Sequence, residues 1–345
     1  MVGIGLIGFG RVGRRLFREI CARPGLAVNA VAEINPGGRE PAQLSANLAY
    51  LLAHDTIAGP FPGQVEAAPD ALLVEGRRIP LFFDRGPEQL DWAGLGVRIL
   101  VEASGSDESL ARSAPLAGKA VDKVVITRAW QAAHITLVRG VNLGDYDPAR
   151  HHIVSCSTCT ANAAAPVLKL LHENYGVERA SLTTVHPALS GDTLMDRPCG
   201  NAAAGRSGLT VRPVPSQVAH TTAQVLPELA GRLVSMSLRV PTLVVNALLA
   251  DVVLARPPRD TAQVLELLGR AAGGDLAGVL AVERGFGGLS RVAADFAGDP
   301  HSAVVDANWL ALEGPLLRLL IWHDNEYAYC LRVADTLETI AAALG

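Results

Sequence analysis

A chain of 345 residues has room for about two domains of ordinary size. Hydrophobic residues make up 49% and charged residues 19%, which excludes a disordered chain and supplies enough apolar side chain for two cores. Lys and Arg total 30 against 34 Asp and Glu, and a net charge of -4 argues against the phosphate backbone of a nucleic acid as a partner.

The first apolar run, Val2–Ile7, reads as a strand. It is too short and too glycine-rich for a signal peptide and follows no basic segment. No later run approaches the ~18–20 apolar residues of a membrane span, so a cytoplasmic protein with no membrane partner is expected. A glycine loop at 8–13 leads into 14–22, where Leu16, Phe17 and Ile20 have helical spacing. Residues 26–32, 97–103, 123–127 and 152–155 read as further strands. Strands that alternate with helices point to a parallel sheet covered on both faces. Near residue 156 the texture changes. Residues 181–186, 234–240, 242–254, 302–307 and 316–322 read as strands of a larger sheet, while 162–174 and 221–229 read as helices. The last stretch, 329–344, is apolar at helical spacing. There are no internal repeats and no low-complexity segment.

Gly8-Phe9-Gly10-Arg11-Val12-Gly13 is G-x-G-x-x-G between a strand and a helix. The first glycine suits the tight turn, the second lets backbone approach a pyrophosphate, and the third packs helix on strand. Free N–H groups at the helix start suit an anion. Glu33 lies 20 residues after Gly13, where it can accept from the adenosine ribose and repel a 2′-phosphate. The pattern predicts NAD rather than NADP, although Arg39 lies close by.

Thr158-Cys159-Thr160-Ala161-Asn162 follows one strand and opens a helix, a position at which a thiolate gains from the helix dipole. His186 ends another strand. A cysteine and a histidine so placed can act as nucleophile and base, or each can be a structural residue. Cys156-Ser-Thr-Cys159 is also C-x-x-C. Zinc would need two further ligands; His151 and His152 are near, Cys199 is far, and no second C-x-x-C exists. Five cysteines (Cys21, Cys156, Cys159, Cys199 and Cys330) are too few for a disulfide framework in so long a chain.

These segments resemble the glyceraldehyde-3-phosphate dehydrogenase family. The likeness is carried by residues 5–14, Gly140-Val-Asn142, Thr158–Asn162, Thr-Thr-Val-His186, Pro227-Glu-Leu229, Arg239-Val-Pro241 and Trp322-His-Asp-Asn-Glu-Tyr327, nearly end to end. The resemblance implies an α/β Rossmann domain over 1–157, completed by the C-terminal helix at 326–345. It also implies an α+β catalytic domain over 158–325 with a large, mostly antiparallel sheet, usually in a homotetramer. It implies Cys159 as nucleophile and His186 as base. NAD would be held by Gly8, Phe9, Gly10, Arg11, Val12, Gly13, Glu33, Arg85, Ser104, Gly105, Thr127, Asn325 and Tyr329, with Asn325 on the nicotinamide carboxamide. A phosphorylated aldehyde and inorganic phosphate would meet Thr158, Thr160, Arg206, Ser216, Gln217 and Arg239. No metal is implied.

The chain also departs from the family pattern. The nucleophile motif lacks the usual second Thr and second Cys, with Ala161 and Ala163 in their places. Ile7 replaces an Asn before the glycine loop, and Cys156 stands where Asn is usual. Leu189 occupies the place of a phosphate-binding Thr, and Gln217 that of a glycine. Leu189, Gln217, Glu33 and 299–306 resemble the erythrose-4-phosphate dehydrogenase branch, which makes that activity, or a different aldehyde, the alternative. A reversible Cys156–Cys159 disulfide in a non-catalytic redox sensor is a third reading.

Overall fold

The computed structural model describes residues 1–189, 191–198, 202–287 and 289–345. Cys199, singled out in the sequence, lies outside the described residues. Two compact units emerge. One comprises Met1–Leu137, Gly144–Ser157 and Cys330–Gly345; the other comprises Val138–Leu143 and Thr158–Tyr329.

In chain order, the first unit carries β1 (Val2–Ile7), α1 (Arg11–Cys21), β2 (Leu26–Glu33), α2 (Pro41–Ala53), β3 (His54–Asp55), β4 (Gly59–Pro60), β5 (Val65–Ala68), β6 (Ala71–Val74) and β7 (Arg77–Phe83). It continues with β8 (Ile99–Glu102), α3 (Asp107–Ser113), β9 (Lys123–Ile126), β10 (Ile135–Thr136) and β11 (Ile153–Ser155). A nine-stranded sheet runs β10-β11-β9-β8-β1-β2-β7-β6-β5. It is parallel from β10 to β7, and β6 and β5 add an antiparallel edge. Every residue of β1 is buried, as a central strand covered on both faces requires. β1 sits between β2 and β8, so the chain leaves it to one side first and later returns to the other. That reversal opens a crevice at the strands' carboxyl ends.

The second unit carries α4 (Cys159–Tyr175), β12 (Val177–Pro187), β13 (Arg212–Val214), α5 (Val218–Val225), β14 (Leu233–Val240), β15 (Asn246–Leu254) and α6 (Thr261–Gly273). After these come β16 (Leu280–Glu283), β17 (Ala303–Asp306), β18 (Ala311–Glu313), β19 (Leu316–His323) and the start of α7 (Tyr327–Leu344). Its sheet runs β13-β14-β12-β15-β19-β17-β16, with β18 also on β19. Only β12–β14 and β16–β17 are parallel pairs. The strands alternate cleanly: Leu182, Leu248, Ala250, Leu319 and Ile321 face a core with Ala164, Val167, Leu168 and Leu171 of α4. Each such Leu contributes about 1.5–3 kcal/mol by burial.

The boundaries differ from the sequence expectation where capping and proline intervene. α4 starts at Cys159, not 162, because Thr158 caps it: its Oγ1 accepts from the Ala161 amide at 3.2 Å. The helix expected over 221–229 runs from Val218 to Val225, and Pro227 opens a separate 3-10 turn. The strand expected from 242 begins at Asn246, because Val245 takes a left-handed φ of 70° that a ladder residue cannot hold. α7 begins two residues early, at Tyr327, where the Asp324 carboxylate accepts from the amides of Glu326 (2.9 Å) and Tyr327 (2.8 Å). No described helix is long and apolar enough to cross a membrane.

Candidate active site

The glycine loop joins β1 to α1. Gly8 has a φ of 89°, and a Cβ there would stand 2.6 Å from the Ser104 backbone. A Cβ on Gly13 would stand 2.1 Å from the Gly8 carbonyl oxygen. Gly10 differs: a Cβ would meet nothing within 4 Å. Two glycines therefore close the loop on itself, and the middle one leaves open space over the helix start. Gly10 is the N-cap of α1 but supplies no side chain, and no acidic residue lies in the first turn. The amides at the start of α1 thus present a positive end with no acidic side chain in the helix's own first turn.

A crevice of about 360 Å³ runs beside this loop, lined by Ile7, Gly8, Glu33, Arg85, Ser104 and Ser109 among others. The Glu33 carboxylate accepts from the Phe9 amide and, at 2.8 Å, from the Ile34 amide. It ties the loop to the end of β2. Phe9 itself is buried, edge-on to Phe17. Arg85 stacks over Phe82. Beneath the crevice the buried Glu102 carboxylate gathers the Ser104, Ser109 and Ser113 hydroxyls. Thr127 Oγ1 donates to the Glu102 carbonyl at 3.1 Å, and Gly105 has a φ of 72°. Open room over a helix start, an acidic group at the second strand and a crevice at the sheet's reversal together fit a dinucleotide.

In the second unit the register assembles a row of polar side chains across four strands. His186 on β12 pairs with Arg239 on β14. On the other side of β12, Val185 pairs with Ala247 of β15, which brings Asn246 level with His186. Asn246 in turn pairs with His323 on β19. These four residues share the sheet face on which α4 packs, since residues opposite one another across strands point the same way. Cys159 opens α4 at that end.

The details suit nucleophilic chemistry. Cys159 is half-buried and unoxidised. Burial pushes its thiol up, and the Thr160 hydroxyl, the Thr160 and Cys159 amides and the Arg239 charge pull the other way. The helix start therefore helps the thiolate as the sequence suggests, but desolvation outweighs it. His186 Nδ1 lies 2.8 Å from the Pro187 carbonyl oxygen, which can only accept. Nδ1 therefore carries the proton and Nε2 the basic lone pair. Asn325 is buried, and its Oδ1 accepts from the Val245 amide at 3.1 Å. The strained Val245 conformation thus serves to orient the Asn325 carboxamide. Tyr329 is buried near the start of α7.

Several expected anion ligands are placed differently. Arg206 does not reach the row. It ends a short turn (Ala204–Arg206), its side chain is 76% exposed, and it pairs with Asp196 at 3.2 Å. Arg212 does reach it: on β13 it pairs in register with Arg239, while its guanidinium bonds Asp192 at 2.6 Å. The Thr158 hydroxyl is spent on the helix cap. Thr160 is buried, with Oγ1 3.8 Å from Cys159 Sγ. Ser216 Oγ accepts from the Val218 amide at 3.3 Å, and Gln217 is exposed at the start of α5. Leu189 is exposed, with its amide on Asp192. Cys156 is a free, buried thiol of the other unit. Burial pushes it up to about 12 against a hydrogen bond to Thr336, a poor setting for disulfide exchange. Among the described residues no three His, Cys, Asp or Glu gather to hold a metal. Arg212 and Asn246 carry no motif of their own in the sequence, and His323 lies in the 322–327 motif without a role read for it; the strand register brings all three to the row.

Comparison with known proteins gives the same picture along the whole chain. Residues 2–109 match the family model described as glyceraldehyde 3-phosphate dehydrogenase, NAD binding domain, and residues 158–325 match the corresponding C-terminal domain. Glyceraldehyde-3-phosphate dehydrogenase 2 of Streptomyces arenae is 36% identical over 345 residues, covering 99% of each chain. The Geobacillus stearothermophilus glyceraldehyde-3-phosphate dehydrogenase is 33% identical over 344 residues, covering 99% of this chain and 98% of its own. The crevice, the cysteine at its helix start and these matches lead to one conclusion: the chain belongs to the glyceraldehyde-3-phosphate dehydrogenase family, NAD-dependent oxidoreductases that act on an aldehyde.

Proposed function

We propose that this enzyme oxidises glyceraldehyde 3-phosphate in the phosphorylating direction, with Cys159 as nucleophile and His186 as base. The observation that carries the reading is the row His186–Arg239 at the open end of the sheet, with Cys159 at the helix start on the same face. The Cys159 thiolate attacks the aldehyde carbon and forms the C–S bond. His186, through Nε2, takes the thiol proton as the thiolate forms, passes it to the new oxyanion to give a hydroxyl, and takes it back as the hydride leaves. The amide at the start of α4 steadies the oxygen as charge develops there. NAD, when bound, supplies the acceptor for the hydrogen leaving carbon as hydride. Gly8, Gly10 and Gly13 with the first amides of α1 would hold its pyrophosphate, Glu33 its ribose, and the Nδ2 end of Asn325 its carboxamide. The acyl group left on Sγ is a thioester. Inorganic phosphate displaces the thiolate, and an acyl phosphate departs.

Arg239 gives the substrate phosphate a bidentate partner. Thr160, Ser216 and Gln217 border the place of the attacking phosphate, and Arg212 supplies the charge there that Arg206 does not. We also infer a cytoplasmic homotetramer. Exposed Leu194, Met195, Leu209 and Val211 offer apolar surface for subunit contacts, and light scattering on the purified protein tests the assembly.

A second reading rests on Leu189, a side chain without a hydrogen-bonding group, and on Gln217: erythrose 4-phosphate, or another aldehyde, as substrate. NADH formation with each aldehyde, with and without phosphate, separates the two. Phosphate-dependent turnover of glyceraldehyde 3-phosphate supports the first. Turnover of erythrose 4-phosphate alone supports the second.

A further inference from the structure

A third and a fourth polar side chain lie beneath the nucleophile, outside the pair used above. Asn246 is fully buried at the start of β15, and His323 is 2% exposed at the end of β19. Asn246 Nδ2 lies 3.0 Å from His323 Nε2, 3.3 Å from Thr160 Oγ1 and 3.9 Å from Cys159 Sγ. An amide has two protons. One goes to the imidazole, and the other is left for the hydroxyl and the sulfur.

We propose that His323 is a positioning residue for Cys159: its neutral imidazole holds the Asn246 carboxamide so that Nδ2 donates toward the sulfur and the Thr160 hydroxyl beside it. The proposal rests on Cys159 being the nucleophile. It adds a donor to the sulfur that is independent of His186.

Three observations carry it. First, an imidazole that accepts at Nε2 must be neutral, and this one is. Burial, reinforced by the neighbouring His186, pushes His323 down to about 3, so it stays uncharged wherever the enzyme works. Second, the arrangement is costly to keep for structure alone. Asn246 Oδ1 and His323 Nδ1 are both buried with no partner among the described residues, a penalty an apolar pair would avoid. Third, the sulfur needs such help, since desolvation disfavours its charged form and each donor offsets part of that. Among the described residues, the Arg239 charge on β14 acts on Cys159, and His186 on β12 and His323 on β19 lie in the same row of the sheet. The Asp324 carboxylate is turned instead to Gly298 and the start of α7.

The test is the pH dependence of Cys159 alkylation by iodoacetamide in the NAD-loaded enzyme. Cys159→Ser serves as the blank for exposed Cys21, and each variant is first checked for NAD binding and thermal unfolding. Asn246→Ala and His323→Phe should each move the alkylation midpoint up by about one pH unit, a roughly tenfold loss of thiolate below it. Asn246→Ser, which keeps a donor, and His323→Gln, which keeps an acceptor, should recover most of that loss. If Asn246→Ala folds poorly, the His323→Phe and His323→Gln pair decides the matter alone. A midpoint that stays put or moves down in the folded variants overturns the proposal and leaves Cys159 as nucleophile intact. Turnover that survives Cys159→Ser overturns both.

Discussion

Gly10→Ser separates binding from folding more cleanly than any other change to the cofactor loop. Gly10 has φ −69° and ψ −160°, an extended conformation that any L residue adopts. Its would-be Cβ meets no atom within 4 Å. Serine is also a good N-cap, and α1 has no side-chain cap, so folding stability should stay within a few tenths of a kcal/mol or rise slightly. NAD binding should suffer, because the new side chain occupies the approach to the α1 amides. One charged hydrogen bond lost there costs ~1.5–3 kcal/mol, or roughly 10- to 100-fold in Kd. Gly13→Ala is the contrasting control. Its Cβ would stand 2.1 Å from the Gly8 carbonyl oxygen, so backbone must shift. Overpacking of that kind costs about 1–3 kcal/mol and should lower Tm by several degrees. Calorimetric titration with NAD and a thermal melt on each variant read both quantities. If Gly10→Ser binds NAD like the parent, the pyrophosphate does not run over this loop, and the assignment of the crevice fails.

Further outcomes follow from the second unit and from the buried thiol. Cys159→Ser should lower NADH formation by about 10³-fold or more while NAD binding, titrated in parallel, is unchanged. Arg239→Met should cut kcat/KM for a phosphorylated aldehyde by about 10- to 100-fold more than for an unphosphorylated aldehyde of the same length, which loses only the help of that charge to the Cys159 thiolate; equal losses on both would show that Arg239 does not meet the phosphate. Cys156 ionises near 12 in the fold and at the ordinary thiol value when unfolded, so its contribution to stability is whole below about pH 9 and is lost as the pH climbs toward 12. Cys156→Ala should flatten the fall of stability across that alkaline window, measured as urea midpoints at several pH values.

Much of the fold was legible because its strands are long apolar runs. β2, β9 and β19 are rich in Val, Ile, Leu and Ala, β1 and β14 are apolar runs broken by Gly or Ser, and punctuation by Gly, Asn and Pro separates them. The glycine loop and Glu33 were legible because each residue does a local job. What escaped was either weakly patterned or non-local. α2 is apolar nearly all round, and the β5–β6–β7 edge mixes charge into short strands, so neither stands out by period. Asn246 is a single polar residue at the start of an apolar strand, and His323 opens a polar run at the end of another, where Asn325 draws the attention. They become a cluster only because β15 and β19 pair antiparallel in one register. Arg206 and Arg212 show the reverse. They are similar in sequence, but only Arg212 lies on a strand that the sheet carries to Arg239.

The return of the chain end to the first unit has a consequence for synthesis. The segment Cys330–Gly345 packs with elements made at the very start: Cys330 Sγ contacts the Val12 carbonyl, Arg23 pairs with Asp335 at 3.1 Å, and Arg98 donates to the Leu344 carbonyl at 3.3 Å. A ribosome that has finished Ser157 must still translate the whole of Thr158–Tyr329 before those partners exist, roughly 10–30 s at ordinary elongation rates. Through that interval the apolar groove awaiting Val333, Leu337 and Ile340, all fully buried in the finished protein, stands uncovered on the nascent chain. Folding of the first unit therefore finishes only after the second unit's chain has been made and Cys330–Gly345 has emerged.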